Sequence, residues 1–331
     1  MVWTPLHSKI HRTIRDRHLF DRNQRLLVGV SGGQDSLCLA KLLLDLQPKW
    51  GWEFGIIHCD HRWRADSAAN AVHVANLAKN WATPFYLEIA TQSLTSEAQA
   101  RDWRYRAFSQ IAQIHNYQYI VTGHTASDRA ETLLYNLIRG AGADGLQALT
   151  WKRSLNPDLV LVRPMLEITR SQVGEFCQEF NLPIWEDVTN QNLVYARNRI
   201  RQELMPYLQE NFNPRVEMNL AQTAELLQAE VAYLEQAAEK LREEVMEAGV
   251  GNHRNNWRFN RRILGQAPLA LQRRVLRQIL MQVMSEAPNF EHIQKLTGLI
   301  SAPNRSQTDP FPGGKIALVD NEWIYLCESR L

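Results

Sequence analysis

Directly after a short apolar run, Arg25–Val30, the chain reads Gly29-Val30-Ser31-Gly32-Gly33-Gln34-Asp35-Ser36. Two adjacent glycines let the backbone turn tightly, so successive N–H groups can point into one concavity. The helix that follows adds the positive end of its dipole, and Ser31 and Ser36 add hydroxyl donors. The segment therefore reads as a cradle for an anion of the pyrophosphate class. Neither G-x-x-x-x-G-K-[ST] nor G-x-G-x-x-G is present, so the loop is not one of the two common nucleotide fingerprints. A carboxylate beside such a cradle repels phosphate unless a cation lies between them, and Mg²⁺ bridging Asp35 and phosphate oxygens resolves that conflict. The competing reading is a plain helix start, with Ser31 and Gln34 as a capping box and Asp35 complementing the dipole.

A second segment, Gly123-His124-Thr125-Ala126-Ser127-Asp128-Arg129-Ala130-Glu131-Thr132, follows another apolar run. Asp128 and Glu131 lie three apart, on one face of a helix, where like charges repel unless a cation or the dipole compensates. A bound metal or a substrate ammonium would explain the pair; a Thr125–Asp128 capping box is the structural alternative. A third segment, His58-Cys59-Asp60-His61-Arg62-Trp63-Arg64, is weak evidence for zinc and better suited to nucleotide or substrate contact from a loop. The fourth, Ala100-Arg101-Asp102-Trp103-Arg104-Tyr105, is helical and offers Arg104 for phosphate charge.

The elements that must position these groups alternate strand and helix. Strands are expected at Arg25–Val30, Phe54–His58, Pro84–Ile89, Tyr119–Gly123 and Leu159–Arg163, with helices at Asp35–Leu46, Asp66–Trp81, Ser96–His115 and Ser127–Arg139. That grammar implies an α/β fold: a mostly parallel sheet with helices on both faces. Three of the four segments follow strands one, two and four, and so share the carboxyl edge at which open α/β sheets bind ligands. Thr169 and Gln172 form a capping box for a helix that ends before Asn181. After Pro183 the pattern changes to a long helix, Arg215 to Ala248, with Leu220, Leu227, Leu234 and Leu241 every seven residues. Two further helical stretches, Pro268–Met284 and Phe290–Ile300, precede a hairpin of Lys315–Val319 and Trp323–Cys327. The expected organisation is a catalytic domain over 1–212 and a smaller, mainly helical domain over 213–331.

The 331 residues carry 45% hydrophobic and 22% charged side chains, enough for two cores and incompatible with a disordered chain. No apolar run spans a bilayer, and the basic, polar-interrupted start does not read as a secretory signal. Four scattered cysteines without a C-x-x-C pair suit a reducing, cytoplasmic setting. Net charge is only +2, yet Arg254, Arg258, Arg261, Arg262, Arg273, Arg274 and Arg277 fall between Ala248 and Ser285, where no acid occurs. Such a block suits phosphate contacts, with a solvated basic face as the alternative.

Ser31-Gly32-Gly33-Gln34-Asp35-Ser36 resembles the PP-loop of the N-type ATP pyrophosphatases, which have the adenine nucleotide alpha-hydrolase-like fold. Within that group, His58 to Arg64, Ala100 to Tyr105, His124-x-x-x-Asp128-x-x-Glu131-Thr132, Arg163-Pro164, Glu186-Asp187-Val188-Thr189-Asn190 and Arg197-Asn198-Arg199-Ile200-Arg201 are similar to the tRNA(Ile)-lysidine synthetases. The resemblance is strong over 25–201 and looser beyond 215. It implies an ATP- and Mg²⁺-dependent ligase that modifies the wobble cytidine of a CAU-anticodon tRNA(Ile) with free L-lysine, leaves a homodimer open and needs no membrane. It further implies that Ser31–Ser36 hold pyrophosphate, Asp35 the Mg²⁺, Arg104 and His124 the α-phosphate, and Asp128 and Glu131 the lysine amine or the metal. His58 would contact the nucleotide. Arg197, Arg199, Arg201, Arg261 and Arg262 are the expected tRNA contacts. Two departures stand out: Ser127-Asp128-Arg129 replaces the Asp-Asp-Gln of many relatives, and the extra C-terminal domain of longer relatives is expected to be missing. The rival readings are an ATP-dependent tRNA thiolase on the same fold, which would need a nucleophilic sulfur, and a non-catalytic nucleotide-binding module.

Overall fold

The structure, a computed structural model, describes residues 2–186, 193–248 and 257–328. The chain divides into two compact units, Met1–Gln228 and Ala229–Leu331. In the first, the apolar runs become the strands β1 (Arg25–Gly29), β2 (Glu53–Asp60), β3 (Phe85–Ile89), β4 (Tyr119–Val121), β5 (Lys152–Asn156) and β6 (Leu159–Val162) of one sheet, in the order β3-β2-β1-β4-β6-β5. All neighbours are parallel except β5, which runs antiparallel to β6 at the edge. Alternate residues face opposite sides. Leu26, Val28 and Ile56 join a core that includes residues of the helices α1 (Pro5–Asp16), α2 (Gln34–Trp50) and α3 (Ser67–Asn80), whereas Leu27, Ile57 and Ile120 join Phe108 and Ala112 of α4 (Glu97–Ile114). A period of two on strands this buried requires helices on both faces.

The order matters for function because the chain moves outward from β1 through β2 and β3, then returns to place β4 on the other side of β1. Adjacent strands whose crossovers diverge leave a crevice at their carboxyl ends. The glycine loop leaves β1, and the His124 segment leaves β4. Val28 and Val121 are register partners, so the two segments start side by side.

The helix α5 (Ala126–Ile138) carries Asp128 and Glu131. It is followed by a short helix α6 (Ala143–Leu146) and by α7 (Arg170–Glu179), which opens with the expected Thr169–Gln172 capping box. Beyond 192, α8 (Ala196–Arg199) continues through a π-helical turn, Ile200–Leu204, into α9 (Met205–Asn211). Ala130 and Leu134 of α5 pack with Ile200, Met205, Val216 and Leu220.

The long helix α10 (Val216–Val245) does not begin a second unit at the expected boundary near 212; the division falls within it. Its early turns are held by ion pairs to the first unit. Glu225 accepts from Arg17 at 2.7 Å, from Arg129 at 2.6 Å and from the Trp151 indole at 2.6 Å, and Arg129 Nη2 donates to Gln228 at 3.1 Å. Arg129, which sequence places beside the acid pair, is 1% exposed and points away from it toward α10. Removing the carboxylate strands a buried guanidinium. Glu225→Ala is therefore expected to lower unfolding free energy by about 3–5 kcal/mol in a urea titration.

The second unit combines the expected hairpin, β9 (Lys315–Asp320) and β10 (Trp323–Glu328), with β7 (Met246–Ala248) and β8 (Trp257–Asn260) in an antiparallel sheet of order β7-β8-β10-β9. Phe259, Leu264, Leu276, Ile279, Val319 and Ile324 build its core with α11 (Arg261–Gln266), α12 (Leu269–Val283) and α13 (Phe290–Gly298). The unit is mainly helical, as expected, and β8 adds a strand that pairs with the hairpin. Among the described residues, no helix is long and apolar enough to cross a membrane.

Candidate active site at the carboxyl edge of β1 and β4

Gly32 adopts φ +88°, and a Cβ there would lie 2.4 Å from Asn70 Oδ1, so the bend needs glycine both for its backbone and for its space. The alternative reading of Ser31 and Gln34 as a capping box is replaced by a different arrangement. Gly33 is the N-cap of α2 without a side-chain cap, and the Gln34 amide instead donates to Arg170 O at 3.1 Å. The Ser31 hydroxyl receives the Gly33 N–H at 3.3 Å, and Ser36 Oγ receives the Ser31 N–H at 3.1 Å while donating to Gly33 O at 2.9 Å. Asn70 Nδ2 holds Ser31 O at 2.9 Å. The loop is thus held by its own hydroxyls and by Asn70, and the 17-residue helix α2 starts directly after it.

Gly123 brings the second segment against the first. A Cβ on it would fall 2.7 Å from Asp35 O and 3.2 Å from Ser36 Cα. His124 Nδ1 shares a hydrogen bond with Thr122 Oγ1 at 3.0 Å. The Thr125–Asp128 capping box is present: Asp128 Oδ2 accepts the Thr125 N–H at 2.8 Å, while Oδ1 accepts from Arg170 at 2.9 Å.

What compensates the acid pair is not visible in its own segment. Arg170, the first residue of α7, donates to Asp128 Oδ1 at 2.9 Å and to Glu131 Oε1 at 2.9 Å, and lies 3.5 Å from Asp35 Oδ2. Arg201, in the π-helical turn, donates through Nε and Nη2 to the two oxygens of Glu131, at 2.8 Å each. Sequence reasoning missed Arg170, whose only signal was its place just after a capping threonine. It placed Arg201 among the tRNA contacts, whereas here Arg201 turns inward onto the carboxylates. A π turn widens the helix by one residue and re-aims its side chains, a device common at functional sites.

The electrostatics follow from this packing. Burial pushes the Asp35 carboxyl up to about 6, with Arg170 opposing and Asp128 adding to the rise. Asp35 Oδ1 is buried without a hydrogen-bond partner. Burial also works to raise Asp128, but Arg170 and the Thr125 N–H outweigh it and hold the group ionised. Burial lowers His124, and Arg163 and Arg104 lower it further, so its imidazole is neutral near pH 7. An orphaned carboxylate oxygen beside a loop of inward hydroxyls and a helix N-terminus fits Mg²⁺ shared with phosphate oxygens, since Mg²⁺ takes one or two carboxylates plus substrate oxygens.

His58, 3% exposed, hydrogen-bonds Val30 O at 2.8 Å and so supports the strand end from which the loop departs. Burial lowers its basicity. Arg104 has a buried Nε without a partner and acts electrostatically on both His124 and His61. Arg197 lies over the Tyr135 ring at 5.9 Å, and Arg199 lines an open apolar cavity of about 670 Å³ with Tyr135, Ile138 and Tyr207. That larger cavity includes none of Asp35, Asp128 or Glu131. In the second unit, Arg261 is engaged by the carbonyls of Asn321 at 2.7 Å and Ala302 at 2.5 Å, and Arg262 is exposed. Arg258, Arg274 and Arg277 pair with Glu247 or Glu235. Arg254 and Asp187 to Asn190 lie outside the described residues.

A family model described as a PP-loop domain matches residues 4–208, and one described as the TilS substrate binding domain matches 260–322. A Nostoc sp. protein named tRNA(Ile)-lysidine synthase is 70% identical to this chain, over 98% of each. The chain belongs to the tRNA(Ile)-lysidine synthase family. A Synechocystis sp. protein of the same name is 49% identical over the whole of both chains. Membership makes this tRNA(Ile)-lysidine synthase relative an enzyme, a ligase-type modifier of tRNA with a PP-loop for ATP. The U34-tRNA thiolase NcsA of Methanococcus maripaludis superposes with a TM-score of 0.58 at 14% identity, over 67% of this chain and 78% of that one, which shows a shared fold.

Proposed function

We propose that this chain ligates free L-lysine to C2 of the wobble cytidine of a CAU-anticodon tRNA(Ile), through a cytidine adenylated at its C2 carbonyl oxygen, with release of pyrophosphate and then AMP. One observation carries the reading. A single guanidinium, that of Arg170, touches Asp35 of the phosphate loop and both acids of α5, so phosphate-holding and amine-receiving groups share one reaction centre.

The residue roles follow from charge. Ser31, Gly32, Gly33 and Ser36 form the loop that would hold pyrophosphate at the start of α2, while Gln34 and His58 brace it. Asp35 would hold Mg²⁺, which when bound supplies neutralising charge to the phosphate oxygens. Arg104 stabilises charge developing on the α-phosphate, and neutral His124 donates a hydrogen bond there. Lysine arrives as ammonium beside Asp128 and Glu131; a carboxylate takes one proton from it, the neutral amine then attacks C2, and the C2–O bond breaks so that AMP leaves with its electron pair. Arg197, Arg199 and Arg262 are the proposed tRNA phosphate contacts, with the protein acting in the cytoplasm.

The thiolase alternative needs a reactive sulfur near the loop. Burial pushes the Cys59 thiol up to about 12, and Cys38 and Cys177 are buried in the core. The test is pyrophosphate release: it should require ATP and the tRNA together. Release with ATP alone, or none in any mixture, would contradict the scheme.

A further inference from the structure

Beside the acid pair lies a second, smaller cavity of about 200 Å³, lined by Ser127, Glu131, Arg170, Arg201, Gln209 and Glu217 among others. Its size suits one amino acid rather than a nucleotide. Glu217 comes from the first turn of α10, outside every segment singled out in the sequence. Its two oxygens receive neutral donors only: the Ser127 hydroxyl on Oε1, and the Gln209 amide on Oε2 at 3.2 Å. Glu131, which lines the same cavity, is covered by two guanidiniums. Among the described residues no cation pairs with Glu217. The cavity therefore holds two guanidiniums, one acid that both of them cover and a second acid, Glu217, that neither pairs with.

A free α-amino acid with a side-chain amine presents two cations and one carboxylate. We infer that Glu217 binds the α-ammonium of the amino-acid substrate, with Gln209 and Ser127 fixing its carboxylate, and that it sets the preference for an α-amino acid over a simple amine. The inference rests on the lysine reading above and adds a binding residue to it. The α-carboxylate then faces the Arg170 and Arg201 side of the cavity, and the side chain runs toward Asp128 and Asp35. Ser127 links this wall to the reaction centre, because its Oγ also accepts the Arg170 N–H at 3.0 Å.

The test uses the full chain with ATP and tRNA(Ile) transcript, measuring the KM for lysine and the inhibition constant of 6-aminohexanoate, which keeps the terminal amine and the carboxylate but lacks the α-ammonium. In the unmodified protein 6-aminohexanoate should bind at least tenfold more weakly than lysine; equal binding overturns the assignment without any variant. Glu217→Gln keeps the size and one acceptor oxygen and removes the charge. It should raise the lysine KM about 10- to 100-fold, with kcat within a few-fold and 6-aminohexanoate inhibition unchanged. An unchanged lysine KM, or both constants rising together as a structural defect would cause, overturns it. Failure of the unmodified protein to incorporate lysine would instead sink the reading of the reaction itself.

Discussion

Arg170→Ala should reduce lysine incorporation by at least about a thousandfold while also costing about 3–5 kcal/mol of stability, the loss expected when one side of a buried ion-pair cluster is deleted. Asp35, Asp128 and Glu131 converge on this one guanidinium. Without it Arg201 still pairs with Glu131 and Asp128, but Asp35 keeps only the longer-range pull of Arg201. The loss also has a direction in pH. Arg170 pulls against the burial that raises Asp35, so removing it moves that carboxyl further up and shifts the acid limb of kcat/KM to higher pH. Arg170→Lys restores charge without the fork and should recover part of the activity. Near-normal turnover by Arg170→Ala at saturating substrates would show that the three acids do not act through a common partner.

Asp35→Asn should abolish turnover yet make the protein more stable at neutral pH. The folded carboxyl titrates near 6, above its usual value of 3.8. Between those values the folded state binds more protons than the unfolded state, so this group's contribution to stability declines as pH rises from about 4 to about 6. Above that window the ionised, buried carboxylate costs up to about 3 kcal/mol, which asparagine removes. Urea titrations at pH 4 and pH 7.5 test this: the variant should gain stability at the higher pH and little at the lower. Stability is here given up for a charge that the reaction needs. An Asp35→Asn protein that is less stable at pH 7.5 would mean that the carboxylate is structural.

How much of this was legible in the sequence depended on how local each signal was. The strands flanking the site are apolar runs, and the order of strands and helices was enough to put the glycine loop and the His124 segment on one rim. Asp35, Asp128 and Glu131 were legible because a loop and a helix face lie within a few residues of each other. Arg170, Arg201 and Glu217 were not, since each reaches the site from a separate helical stretch, and isolated arginines or glutamates on such stretches usually face water. The strand β5 escaped because its residues are mostly exposed at a sheet edge, and β8 because it is four residues long. The helix α1 was hidden by an unusual cap, in which His7 takes the place of glutamate or glutamine in the Thr4 box. In the basic block between Ala248 and Ser285, composition shows charge but not its partners, and Arg258, Arg261, Arg274 and Arg277 each have one in the fold.

The most direct measurement follows labelled lysine into a tRNA(Ile) transcript bearing a CAU anticodon, with pyrophosphate counted in parallel. Shared chemistry at the β1 and β4 rim predicts one lysine incorporated per pyrophosphate released, and loss of incorporation in Asp128→Asn and Glu131→Gln. Pyrophosphate released without lysine transfer in the unmodified protein, or transfer that survives both substitutions, would contradict it.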